Sequence, residues 1–149
     1  MRNIVAIDPS TTSLGWATRE GHGTLLASGD RPTRLRQMLD MLFQRVITRD
    51  SVVIYYTPFA RGADATRCQW GIAGVIEAVA NLKDATVLDI SEGTVRSFHG
   101  APRSVPRPVL KAWALEKAQE LGFDVRNDDE ADAVLLLLYA ERKIAHDKN

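Results

Sequence analysis

Short runs of apolar residues broken by turn residues open the chain, and helical periods take over further on. Asn3–Asp8 (NIVAID) is a β-rich run that ends on an acid, and Pro9–Ser13 is a turn. Leu14–Thr18 reads as a second strand, Glu20–Gly23 as a hairpin turn and Thr24–Ser28 as a third strand. Over Thr33–Thr48 the apolar positions Leu35, Met38, Leu39, Leu42 and Val46 recur at steps of three and four, which predicts a helix started at Pro32-Thr33. Ser51–Tyr56 is apolar almost throughout, as a strand covered on both faces must be. After a loop over Pro58–Ala65, a second helix runs from Thr66 to about Leu82, and Thr86–Ile90 is a fifth strand.

The stretch 91–107 is rich in Gly, Pro and Arg and reads as one long loop, a length that often marks function in a compact domain. Pro108–Leu121 is a third helix stopped by Gly122. A fourth starts at Asp128 and continues to about Ile144. Three antiparallel strands, followed by strands reached through helical crossovers, predict an α/β fold. Its sheet is mixed and five-stranded, with helices on both faces. One domain over 1–145 and a frayed tail at 146–149 account for the chain.

Composition narrows the class. The 45% of apolar residues suffices for a core, which argues against disorder. No apolar run approaches the roughly 20 residues of a membrane span. A single cysteine, Cys68, leaves no disulfide framework. With no signal-peptide pattern at the N-terminus, a cytoplasmic setting is expected. Net charge is zero, but its distribution is uneven. Between Gly93 and Leu115 lie Arg96, Arg103, Arg107 and Lys111 with no acid, and acids then accumulate from Glu116 to Asp132. Such a pairing suits a site that handles phosphate with a metal, and it also suits unevenly charged solvated faces.

Asp8 is the first candidate for chemistry. At the end of a strand it either projects from the sheet edge where α/β proteins place their sites, or simply opens the following turn. Asp129 and Asp132, with Asp128 and Glu130 beside them, begin the last helix, and a spacing of three puts the pair on one face. Acids there also favour the helix dipole. Asp132, however, falls within the apolar register of Ala131, Val134, Leu135 and Leu138, where an acid needs a partner. Oxygen ligands of this kind suit Mg²⁺ or Mn²⁺. Cys68 and His99 have no partners at ligand spacing, which argues against zinc. No Walker motif, no GxGxxG and no Ser/His/Asp nucleophile motif is present.

Three runs, IVAIDPSTTSLGWA, PFARGADATRCQWGIAGVIEA and DDEADAVLLLLYA, taken in order, resemble Holliday-junction resolvases of the RuvC type, particularly short phage versions. The resemblance spans nearly the whole chain. It implies an RNase H-like fold and a homodimer that hydrolyses phosphodiesters at branched DNA with Mg²⁺ or Mn²⁺, two ions per site. The short apolar runs and the lack of a second phosphate loop lead to the expectation of no membrane and no nucleotide cofactor. The phosphate-hairpin look of IVAIDPSTT is shared with sugar kinases, but no second phosphate loop follows.

The family's four carboxylates map onto Asp8, Asp129, Asp132 and a residue three before Phe59, which here is Tyr56. A neutral phenol is a poor Mg²⁺ ligand. Three explanations stay open: Glu130 or Glu77 substitutes as ligand, the protein binds junctions with impaired catalysis, or Tyr56 is itself an altered residue. The small residues of the second helix imply a dimer contact, or else close packing on the sheet. Arg61, Arg67, Arg96, Arg103, Arg107 and Lys111 are the candidates for phosphate contacts; Phe59 reads as a wedge against unstacked bases or as a core residue, and Phe98 as a wedge or, like each arginine taken singly, as solvated surface.

Overall fold

A computed structural model describes residues 2–59 and 62–147. The five strands are β1 (Ile4–Pro9), β2 (Ser13–Thr18), β3 (Gly21–Leu26), β4 (Val52–Tyr56) and β5 (Thr86–Ile90). They form one sheet in the order β3-β2-β1-β4-β5. The first three pair antiparallel, while β4 joins β1 and β5 joins β4 in parallel. This is the mixed five-stranded sheet that the element order predicts.

Strand alternation sorts the side chains between two cores. Val5, Ile7, Val53 and Tyr55 face α1 (Arg31–Met41) and α2 (Ala63–Leu82). Ile4, Ala6, Ile54 and Tyr56 face α3 (Glu92–Phe98), α4 (Arg107–Glu120) and α5 (Asp128–His146). Asp8 continues the second series by parity, so it emerges toward α5. The middle of α5 is buried from Glu130 through Leu137, which is why its sequence is apolar nearly all round.

Several boundaries differ from the sequence expectation. The third strand begins at Gly21 rather than Thr24, because Gly21 and Gly23 already pair with Thr18 and Trp16. A side chain at Gly23 would press on the Trp16 indole, 3.0 Å from a Cβ there. The first helix starts earlier, capped by Asp30, whose side chain accepts from the Thr33 amide, and ends in a π-helical turn over Leu42–Val46. The second helix starts at Ala63. The largest difference lies in 91–107, which is not one loop. Its first part is α3, capped by Ser91, whose hydroxyl accepts from the Thr94 amide, and anchored by the buried Val95. The expected tail at 146–149 is shortened: His146 ends α5 and Asp147 caps it, while Lys148 and Asn149 lie outside the described residues. Among the described residues no helix is long and apolar enough to cross a membrane.

Candidate active site

One residue of β2 decides how closely α5 approaches the sheet. Gly15 pairs with Asp8 across the β1–β2 ladder. A Cβ at Gly15 would lie 2.0 Å from the Asp129 carbonyl oxygen and 2.9 Å from the Glu130 amide nitrogen. Only glycine admits the head of α5 here, so the backbone of α5 rests directly beside Asp8's partner. Asn127 caps the helix by accepting from the Glu130 amide. Ser13 Oγ donates to Asp129 Oδ2 at 2.6 Å and fixes that carboxylate.

Asp8, Asp128, Asp129 and Asp132 therefore line one cleft at the ends of β1 and β4, although they come from opposite ends of the chain. Asp8 and Asp132 are buried, and no described residue donates a hydrogen bond to the Asp8 carboxylate. Asp132 Oδ2 faces the Arg96 guanidinium at 3.7 Å. Asp132 Oδ1 is buried with no hydrogen-bond partner among the described residues, a costly condition for a carboxylate oxygen.

Burial, and then the charges of Asp132, Glu92 and Asp129, raise the Asp8 pKa well above the usual carboxylate range, with Arg96 opposing. Burial likewise lifts Asp132 to about 7, against the pull of Arg96 and with help from Glu92, Asp128 and Asp129. Asp129 is raised by burial, moderated by its bond from Ser13. Between the ordinary value of 3.8 and about 7, the folded Asp132 holds a proton that the unfolded chain has released. Its stabilising contribution is therefore complete below the lower value and lost as pH rises to the upper one. In EDTA, the melting temperature should fall from pH 5 to pH 8, and Asp132→Asn should flatten that fall. A wild-type melting curve no steeper with pH than that of the variant would contradict it.

The remaining expected site residues divide. Tyr56 lines the cleft but is buried, and its hydroxyl donates to the Asp132 carbonyl at 2.8 Å. Burial and the nearby carboxylates push its pKa well above 10, so the phenol stays neutral and pins α5. Glu130 is a correction. It is buried, with one oxygen 2.5 Å from His22 Nδ1 and the other accepting from the Arg126 amide. Both oxygens are engaged away from the cleft. Glu77 accepts from the Tyr55 hydroxyl and so serves the other face of the sheet.

Arg96, Arg107 and Lys111 line the cleft, with Lys111 Nζ 3.2 Å from Asp128. Phe59 stands at the rim and is 78% exposed, which excludes a core role. Arg103 is exposed on a neighbouring hollow that Arg96 also lines. Arg67 is exposed on α2, outside the cleft lining. Phe98 packs edge-on against His99 and Tyr139, away from the cleft, so it is not placed as a wedge there. Arg61 lies outside the described residues.

Sequence reading missed Glu92. It lines the cleft from the first turn of α3, and its Oε2 lies 3.3 Å from the same Arg96 guanidinium that faces Asp132. A serine followed directly by an acid, Ser91-Glu92, is the sequence signal that could have marked the start of this helix.

RuvC of Thermus thermophilus, solved in complex with a Holliday junction substrate, superposes with a TM-score of 0.67 at 16% identity, over 95% of this chain and 96% of that one. A second T. thermophilus RuvC structure gives 0.65 at 16% identity, over the same shares. The chain has a RuvC-type, RNase H-like fold. A yeast mitochondrial Holliday junction resolvase, Ydc2, gives 0.61 at 11% identity, over 97% of this chain and 81% of that one. No family model matches the chain, and no curated protein matches it by sequence. On this fold, Tyr56 ends β4 and pairs with Ile90, the last residue of the parallel neighbour β5, and Glu92 follows two positions later at the head of α3.

The donor set fits a hard divalent cation. Its acids are carboxylates, two of them buried, and among the described residues one buried carboxylate oxygen has no hydrogen-bond partner. Among the described residues, no three His, Cys, Asp or Glu side chains converge as a ready-made metal cage. Like-charge repulsion opposes such convergence without a cation, and the Arg96 guanidinium lies between two of the carboxylates.

Proposed function

We propose that this protein is an endonuclease that cuts branched DNA such as Holliday junctions, using Mg²⁺ or Mn²⁺, as a homodimer. The observation that carries the reading is the buried, unpartnered oxygen of Asp132 in a cleft shared with Asp8, on a fold matched along nearly its length by RuvC. Asp8 and Asp132 would hold the cation, with Asp129 held in place by Ser13. A pair of divalent ions would activate the attacking water and stabilise the leaving oxygen. Arg107 and Lys111 sit at the cleft edge, placed to bind the phosphate backbone, with Arg103 and Arg67 contacting duplex arms farther out. Phe59, exposed at the rim, offers a stacking face to an unpaired base.

The dimer reading rests on α2. Trp70 is half exposed there, and a Cβ at Gly74 would meet nothing within 4 Å, so this chain's own packing does not demand that glycine. Two symmetric cuts need two sites related by a two-fold.

A labelled four-way junction tests the proposal. Nicks near the branch are expected with Mg²⁺ or Mn²⁺, with none in EDTA and none in linear duplex of the same sequence. Junction binding should weaken steeply with salt. A second reading, a junction-binding protein with impaired catalysis, is favoured by the neutral, buried Tyr56 at the end of β4. Binding without cutting, with cutting gained in Tyr56→Glu, selects it. Neither binding nor cutting would refute both.

A further inference from the structure

We infer that Glu92 is the fourth acidic ligand of this site, supplying from the head of α3 the carboxylate that the end of β4 lacks. The inference rests on the nuclease reading and concerns how this chain completes its donor set. Tyr56 closes β4 and pairs with Ile90 of the parallel neighbour β5. The Thr57 amide donates to the Ile90 carbonyl at 2.9 Å, which holds the two strand ends level. Glu92 follows Ile90 after one residue, Ser91, whose cap turns the chain into α3. The acid thus leaves the same sheet edge as Tyr56, one strand over, and enters the cleft beside Asp8 and Asp132. Glutamate is one methylene longer than aspartate, which suits the extra reach.

Two contacts tie Glu92 to the site. Its Oε2 lies 3.3 Å from Arg96, and the other terminal nitrogen of that guanidinium lies 3.7 Å from Asp132 Oδ2. One positive group therefore already faces both carboxylates. Independently, Asp132 Oδ1 is buried and unpartnered in the same cleft, and Asp8 is buried without a hydrogen-bond donor among the described residues. These are unfilled demands for a cation that one guanidinium does not meet. Acids at the head of a helix commonly do no more than favour its dipole, and an i,i+4 pair with Arg96 is compatible with that role. An acid serving only the dipole would be at home in solvent, whereas the Glu92 side chain is two-thirds buried and lines the cleft. The other substitutes are spent, since Glu130 is held by His22 and the Arg126 amide, and Glu77 by Tyr55.

The test is Mn²⁺ titration of the DNA-free protein by calorimetry, in wild type, Glu92→Gln, Glu92→Asp and Asp8→Asn, followed by junction cleavage. Glu92→Gln should weaken Mn²⁺ binding by at least about tenfold, since even groups that merely orient a ligand cost about 10–100-fold. Cleavage should fall in parallel, and Glu92→Asp should lose less of both. In EDTA, Glu92→Gln should melt no lower than wild type and bind the junction equally well. If Glu92→Gln binds Mn²⁺ like wild type while Asp8→Asn does not, the inference falls and the nuclease reading stands. If wild type takes up no Mn²⁺, both fall. A Glu92→Gln protein that melts well below wild type in EDTA, with Glu92→Asp restoring the melt but not Mn²⁺ affinity, would assign Glu92 to structure and overturn the inference.

Discussion

Asp8→Asn should abolish junction cleavage while leaving junction binding intact. The carboxylate is buried at the end of β1, no described residue donates to it, and its pKa is raised by burial and by three neighbouring acids. That environment disfavours the anion unless a cation arrives. Asparagine keeps the shape and removes the charge. The loss of cleavage in Mg²⁺ should be about 100-fold or more, because on the proposed reading the change removes a direct anionic donor rather than a group behind one. The same substitution relieves like-charge repulsion, so the variant should melt higher than wild type in EDTA at pH 8. Salt-dependent junction binding, which the proposed reading assigns to Arg107, Lys111 and the outer arginines, should be unchanged or slightly tighter. Gel shift, cleavage assay and thermal melting together check this. Cleavage within about threefold of wild type, a difference under 1 kcal/mol in barrier terms, would take Asp8 out of the site.

Gly15→Ala should damage both stability and activity, although Gly15 carries no chemistry. The added methyl would sit 2.0 Å from the Asp129 carbonyl oxygen and 2.4 Å from its carbonyl carbon. These are backbone atoms of a helix, so no side chain can swing aside. Either β2 or the first turn of α5 must move. Overpacking of this sort costs about 1–3 kcal/mol and more where backbone must shift, and the upper end is expected here. Cleavage should fall beyond what the lost stability explains. Asp129 and Asp132 ride on the displaced turn, and a shift of about 1 Å in positioned groups can cost on the order of 100-fold. Urea denaturation gives the stability change, and cleavage measured well below the unfolding midpoint isolates the displacement. A variant with wild-type stability and rate would show that α5 does not need this close approach.

The sequence by itself determined the sheet and its two faces. Alternation along β1 and β4 sets the parity of Asp8 and Tyr56, and the spacing of three sets Asp129 beside Asp132, because backbone geometry fixes these relations before any packing occurs. The anomaly at Tyr56 was legible only through the family resemblance, which implies an acid three residues before Phe59. What Glu130 does was not, since adjacent residues on a helix head differ in direction by about 100° and only the partners decide which acid meets solvent, strand or cleft. His22, on β3, is that partner, over a hundred positions away in the chain. Glu92 was hidden differently. Helix α3 has seven residues, too few for a periodic pattern to stand out among Gly, Pro and Arg, and it holds its shape through the Ser91 cap and the buried Val95. Which acids share a cleft is a property of strand order and close backbone approach, and those exist only once the chain has folded.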